Sequence, residues 1–249
     1  MKLALEIPKQ HLEEFSHLTD VDFALAHLVL SDSIYAEFYA EQVKQGRRVL
    51  LDNGMHEQGG KSLTVPEIIE AAKRVNPTVV IPPDKLGDAE FTYAGFKALR
   101  TDPQNRWEPA LVIQGSTHEE RVRLFMDGRQ YSNTLCLPYR EPRSQWFKEL
   151  VSATPKHVAW PGHLHLFGVN TLDELQWFST FCERVGWPAA RLCVDTAKPI
   201  KWAMKGFTLN KPPTDGLRGG GLLDHTVKLT AEQRMNAYFN IGYFRRSLT

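Results

Sequence analysis

Arg191-Leu-Cys-Val-Asp195-Thr-Ala-Lys198-Pro-Ile-Lys201-Trp-Ala-Met-Lys205-Gly206 is the stretch whose reading decides the fold. A short apolar run, Leu192 to Val194, delivers a carboxylate to its end, and a small-residue turn carrying three lysines follows at once. An acid at the exit of a buried strand, facing cations, is a candidate nucleophile. An acidic cap on the next helix is the simpler use of the same residue. What turns the reading toward chemistry is that the pattern recurs earlier in the chain.

Arg48 to Asp52 is an apolar strand ending on a carboxylate, with Asn53-Gly54 as its turn. Thr64 to Lys73 has a cap, an early proline and an apolar stripe, which predict a helix. Thr78-Val-Val-Ile-Pro82-Pro83 is the next strand and runs to Asp84. Ala110 to Gly115 follows, passing through Gln114, and a helix opens at Ser116 or Thr117 with Glu119 and Glu120 in its first turn, where the dipole favours acids. Then come a strand over 133–138, a helix over 145–151, a strand over 164–168, a capped helix from Thr171 to Val185 and a strand over 192–195. Upstream, 2–7 and 22–30 both read as strands with a polar piece between them. The stretch 31–45 reads as a helix capped by Ser31 or Asp32, with Ile34, Tyr35, Phe38, Tyr39 and Val43 at helical spacing. Either early strand opens the series, and Gly206 to Leu209 is a candidate eighth strand. Thr230 to Phe244 predicts a closing helix whose Met235, Tyr238, Phe239 and Ile241 serve the core.

Strand ends at Asp52, Asp84, Gln114, Pro138, Gly168 and Asp195 lie 32, 30, 24, 30 and 27 residues apart, a strand plus a helix each time. Fully apolar strands joined by crossover helices mean a parallel sheet buried on both faces. The expectation is an α/β protein, a single-domain (β/α)8 TIM-like barrel over residues 1–249. Residues 1–21 form an N-terminal strand and extension, and 207–249 a glycine-rich loop and closing helix. A doubly wound sheet is the competing arrangement. In barrels of this kind the reactive groups project from the C-terminal strand ends.

Composition bounds the function classes. Hydrophobic residues at 42% and charged residues at 24% are ordinary for a globular protein, and no apolar run approaches a membrane span. The opening Met1-Lys2-Leu3-Ala4-Leu5-Glu6 is too short and too acidic for a signal peptide, so the expected location is a cytoplasm, that of the host if a phage encodes the chain. Cys136, Cys182 and Cys193 are odd in number and form no Cys-x-x-Cys pair, which favours buried thiols over disulfides or a zinc knot. Neither a metal nor a cofactor is expected. The net charge of +1 gives no global argument for nucleic acid. Locally, however, Arg191, Lys198, Lys201, Lys205, Lys211 and Arg218 stand against only Asp195 and Asp215, an excess that suits a phosphate backbone and equally a solvated loop. The triple glycine at 219–221 lacks the Lys-Ser/Thr of a P-loop.

On one rim of a barrel, Asp52, Asp84, Gln114 and Asp195 make a set that can read a purine-like heterocycle. A carboxylate accepts from a ring N–H and an exocyclic amine together, while Gln114 and the Gly115 amide serve a carbonyl edge. Two further acids facing a sugar carbon suit double displacement at an anomeric centre. Spacing alone does not select that reaction.

The succession Leu51-Asp52-Asn53-Gly54, Ile81-Pro-Pro-Asp84, Val112-Ile-Gln114-Gly115, Leu137-Pro-Tyr139, Leu166-Phe-Gly-Val169 and Val194-Asp195-Thr-Ala-Lys-Pro199 resembles the tRNA-guanine transglycosylase superfamily over residues 48–206. Within it, the chain is most similar to the short phage and bacterial DNA 7-deazaguanine transglycosylases. The resemblance implies exchange of guanine in DNA for a preQ0-like 7-deazaguanine. Asp195 would be the nucleophile forming a covalent bond to C1′, and Asp52 the general acid/base. It further implies that Asp84, Gln114 and Gly115 read the base, that Leu137 and Pro138 line its pocket, and that Asn53 and Gly168 belong to the same site. Lys198, Lys201, Lys205 and Arg218 are the candidate phosphate contacts. The partners implied are DNA with the target base flipped or single-stranded, a free 7-deazaguanine base, and a second copy of the chain or a helper protein that opens the duplex.

Two departures from the tRNA-modifying relatives favour DNA. The chain lacks their zinc site of three closely spaced cysteines and a histidine, and Asn53-Gly54-Met55-His56-Glu57 stands where they carry Ser-Gly-Gly-Phe-Gln. Two other classes compete. His163-x-His165 puts two imidazoles on one strand face, as metal-dependent barrel hydrolases do, although such histidines also serve hydrogen bonding inside a barrel. The second is a non-catalytic barrel that binds nucleic acid.

Overall fold

The computed structural model describes residues 1–139, 143–155, 160–169, 171–211 and 222–248. Strands and helices alternate along the chain. They are β1 (Lys2–Leu5), α1 (Leu12–Phe15), β2 (Val21–Leu25), α2 (Ala26–Ser31), α3 (Ser33–Lys44), β3 (Val49–Asp52), α4 (Val65–Val75), β4 (Val79–Val80), α5 (Ala89–Thr101), β5 (Glu108–Pro109) and β6 (Leu111–Val112). They continue with α6 (His118–Gly128), β7 (Thr134–Leu137), α7 (Arg143–Ala153), β8 (His163–Leu166), α8 (Leu172–Arg184), β9 (Leu192–Thr196), α9 (Lys198–Met204) and α10 (Ala231–Arg246). This is an α/β fold of the TIM-barrel type, with parallel strands flanked by helices. β5 and β6 are two halves of one strand broken at Ala110. The first half pairs with β4 and the second with β7, while the Ala110 amide still donates to the Val80 carbonyl at 2.9 Å. Counted so, the described strands number eight, as in a (β/α)8 barrel, with β1 the first and β9 the last.

Two compact units divide the chain, Asp22–Phe167 and the combination of Met1–Val21 with Gly168–Thr249. In the first, β2, β3, β4 and β5 pair in sequence order, and β6, β7 and β8 likewise, always in parallel. Phe23 pairs with Leu50 and Cys136 with His165, and the Phe23 and His165 rings stack at 6.1 Å, so these residues share one packed face. Behind the strands α4 turns in Ile68, Ile69, Ala71, Ala72 and Val75, and α5 turns in Phe96 and Leu99. Full burial of each such large side chain favours the fold by about 1.5–3 kcal/mol. In the second unit β1 pairs with β9 in parallel, Ala4 opposite Asp195. There α10 docks through Asn240, whose Nδ2 donates to the carbonyls of Pro199 (3.0 Å) and Phe207 (3.1 Å).

Helix starts fall where their capping residues predict. Asp32 accepts from the Tyr35 amide, Thr117 from Glu120, Thr171 from Glu174 and Thr230 from Gln233. Three expectations need correction. The run 22–30 is strand only as far as Leu25; from Ala26 it is α2, which buries Ala26 and Val29, three apart, on one face. Gly206 to Leu209 is a turn with a single antiparallel bridge from Thr208 to Lys211, not an eighth strand. In α10, Ile241 is buried, but Met235 and Phe239 are 68% and 41% exposed, and Tyr238, 38% exposed, reaches the core only by an edge-on contact of its ring with buried Phe15 at 5.2 Å. The cysteines are free thiols, Cys136 and Cys182 buried and Cys193 half-buried. No described helix is long and apolar enough to cross a membrane.

Candidate active site

In the unit 22–167, β3, β4 and β6 each bring a polar residue to or just beyond their C-terminal ends. Asp52 closes β3 half-buried, and its Oδ2 accepts the Gly54 amide at 2.9 Å, so the carboxylate folds over its own turn. Gly54 has φ +69°, and a Cβ there would run into the His27 ring, which is why this turn needs glycine. Asn53 is buried and fully engaged. Its Nδ2 donates to the Pro82 carbonyl and to Asp84 Oδ1, both at 2.7 Å, and its Oδ1 accepts the Met55 amide at 2.9 Å. Gln114 Nε2 donates to Asp84 Oδ2 at 2.7 Å, and its Oε1 accepts the Gly87 amide at 3.1 Å.

Asp84, 6% exposed, is thus clamped between two amides. Burial pushes its carboxyl above the usual carboxylate range, and the Asn53 and Gln114 bonds pull in the opposite direction. Pro82 and Gly87 fix which end of each amide faces Asp84. Both neighbours therefore donate, both Asp84 oxygens accept, and the ionised form is the one that fits. Asn53, Asp84 and Gln114 are thus brought together in one cluster, with Asp84 accepting from the two amides. An open cleft of about 420 Å³ lies beside it, lined by Lys85, Leu86, Asp88 and Arg123 among others, with Gly87 common to both.

The other base-reading candidates in this unit are held by arginines that the sequence reading did not single out. Arg121 Nη1 donates to the Gly115 carbonyl at 3.1 Å, and Arg143 Nη1 donates to the carbonyls of Leu137 (3.3 Å) and Phe167. Each arginine lies six residues past the carbonyl it caps, a spacing that could have drawn attention to both. Leu137 and Pro138 are buried. His165 is buried against Phe23 and, edge-on at 5.0 Å, Phe167, so aromatic packing accounts for its place; His163 is half-buried at the start of β8. Among the described residues no three His, Cys, Asp or Glu side chains gather as a metal would require.

In the unit 1–21 with 168–249, Asp195 is 6% exposed in β9. The Gly168 amide donates to its Oδ2 at 3.1 Å, and the Val169 amide donates to its carbonyl at 2.9 Å, so Gly168 touches the candidate nucleophile directly. Gly168 adopts φ +58°, a conformation suited to glycine. Lys198 and Lys201 are half-buried on α9, and burial lowers the proton affinity of both; at Lys201 the Glu6 carboxylate opposes the effect and Lys205 adds to it. The Lys198 ammonium lies 5.2 Å from the centre of the Trp202 ring. Lys205 is exposed. Arg218 and the triple glycine lie outside the described residues. No protein-family model and no curated protein matches the chain.

Proposed function

We propose that this chain is a transglycosylase that exchanges guanine in DNA for a 7-deazaguanine base. The observation that carries the reading is Asp84, a buried carboxylate with one oxygen on Asn53 and the other on Gln114. Its remaining lone pairs match the ring N–H and exocyclic amine of guanine and of a preQ0-like base alike, which a base-exchange enzyme requires. The sequence resemblance to the 7-deazaguanine transglycosylases supports the same reading.

In the reaction, an Asp195 oxygen attacks C1′ as the C1′–N9 bond of the target nucleoside breaks, giving an aspartyl-deoxyribosyl ester. Asp52 supplies the proton that the departing guanine takes up. The incoming base returns a proton to Asp52, its N9 attacks C1′, and the Asp195 carboxylate is released. The Gly168 amide on Oδ2 orients the nucleophile. Lys198, Lys201 and Lys205 supply cations for backbone phosphates flanking a flipped or single-stranded base.

The test is base exchange. The protein is incubated with guanine-containing DNA and labelled guanine or preQ0, and the nucleosides are identified after digestion. Label in DNA supports the proposal. Label in tRNA alone would move the substrate to RNA, and no label in either would overturn the reading.

A further inference from the structure

Glu6 extends the β1 ladder beyond the strand. Its amide donates to the Thr196 carbonyl at 3.3 Å, one step past the pairs Ala4 with Asp195 and Leu5 with Thr196. Side chains alternate along a strand, so Glu6, two residues after Ala4, stands on the face that carries Asp195. Glu6 Oε1 meets Nε2 of His225, 219 residues later in the chain, at 2.8 Å, with side chains 12% and 9% exposed. An ionised carboxylate only accepts, so Nε2 carries the proton. The Lys9 amide donates to the His225 carbonyl at 3.0 Å and fixes the backbone that bears the ring. His225 Nδ1 is buried and, among the described residues, has no hydrogen-bond partner. Among the described residues, Lys201 also acts on Glu6 and Asp224 on His225.

Two features set the pair apart from a simple strap. Its carboxylate is carried on the strand face that also carries Asp195, the candidate nucleophile. A buried imidazole nitrogen without a partner is rare enough in folded proteins to call for an explanation. Together they place an anchored carboxylate on the side of the sheet where the proposed reaction occurs. Displacement at an anomeric carbon passes through an oxocarbenium-like transition state, and a fixed anion in a water-poor site stabilises that charge without reorganising.

Resting on the base-exchange reading, we infer that Glu6 is a further functional carboxylate for the reaction at Asp195, stabilising positive charge on C1′, and that His225 is the positioning residue that holds it. The experiment measures kcat and KM for guanine exchange in the full chain with single-stranded DNA. Glu6→Gln keeps the size and a hydrogen bond to His225 but removes the charge. It should lower kcat by about 10- to 100-fold, leave KM within about twofold and keep the thermal midpoint of the unsubstituted protein. His225→Gln should lower kcat in the same way but less, and Glu13→Gln, an exposed glutamate near by in sequence, should change nothing. An active parent with Glu6→Gln kcat within about twofold, or with a loss confined to KM, overturns the inference and leaves base exchange standing. If Glu6→Gln does not fold, the kcat of His225→Gln decides on the same criterion. A parent that exchanges no base overturns both.

Discussion

Replacing Asp84 by asparagine tests the clamp from which the base-reading proposal is built. The side chain keeps its shape, but one acceptor oxygen becomes an NH2 donor facing another donor. Neither neighbour can turn to meet it. A flipped Gln114 would point its NH2 at the Gly87 amide, and a flipped Asn53 would point its oxygen at the Pro82 carbonyl and abandon Met55. Two facing N–H groups, one on each side, are therefore left without an acceptor, at a cost of about 1–3 kcal/mol or more. Relief from burying a full charge opposes this, so Asp84→Asn should destabilise by about 1–2 kcal/mol. The diagnostic step is the swap Asp84→Asn with Gln114→Glu. A glutamate at 114 accepts from both the Gly87 amide and the new NH2, while the new carbonyl oxygen accepts from Asn53, so every polar atom is paired again. Urea unfolding at neutral pH should show the double variant recovering most of the loss, a coupling of at least about 1 kcal/mol, and base exchange should stay abolished in both. Additive losses would refute the reasoning that the two amides are locked in orientation.

Other consequences follow from single contacts. Gly54→Ala puts a Cβ against the His27 ring at a positive φ and should lower stability by about 2 kcal/mol or more, read from the urea midpoint. Glu67 caps α4 by accepting from the Thr64 hydroxyl (2.7 Å) and amide (2.8 Å), which hold its carboxyl below the usual range. Because that folded-state value is depressed, its contribution is present above the ordinary glutamate pKa and lost as pH falls through the folded one. The stability gap between the parent and Glu67→Ala should therefore narrow between neutral pH and pH 3, by unfolding at each pH, and a constant gap would contradict it. Burial, with a smaller push from Glu183, raises the Cys182 thiol to about 11, so alkylation of this residue at pH 8 should be slow in the native protein and fast in urea.

Much of the fold was legible because strand ends and helix caps are local. Thr64, Thr117, Thr171 and Thr230 mark helix starts through bonds spanning three residues, and Asp52, Gln114 and Asp195 stand at or just beyond the strand exits where apolar runs stop. The misread segments are those without such signals. Ala26 to Leu30 is an apolar run whose period is too short to separate strand from helix, and packing of Ala26 and Val29 makes it helix. Met235 and Phe239 are apolar by type, but α10 turns Ala237, Ile241 and Phe244 inward instead. Within the site, Asn53, Asp84 and Gln114 were legible as residues, whereas their mutual bonds depend on Gly87 and Pro82, which carry no chemical signal of their own. Glu6 falls inside the run 2–7 that reads as a strand and carries no signal of its own, because its partner His225 is separated from it by nearly the whole chain and only folding joins them.

The central claim is a covalent bond between Asp195 and the sugar. Intact-mass spectrometry of the protein after incubation with a short guanine-containing oligodeoxynucleotide, followed by peptide mapping, tests it most directly. The account predicts protein carrying the oligonucleotide minus guanine, attached on the peptide that contains Asp195, and no adduct with Asp195→Asn. An adduct on another residue, or base exchange that proceeds unchanged in Asp195→Asn, would contradict it.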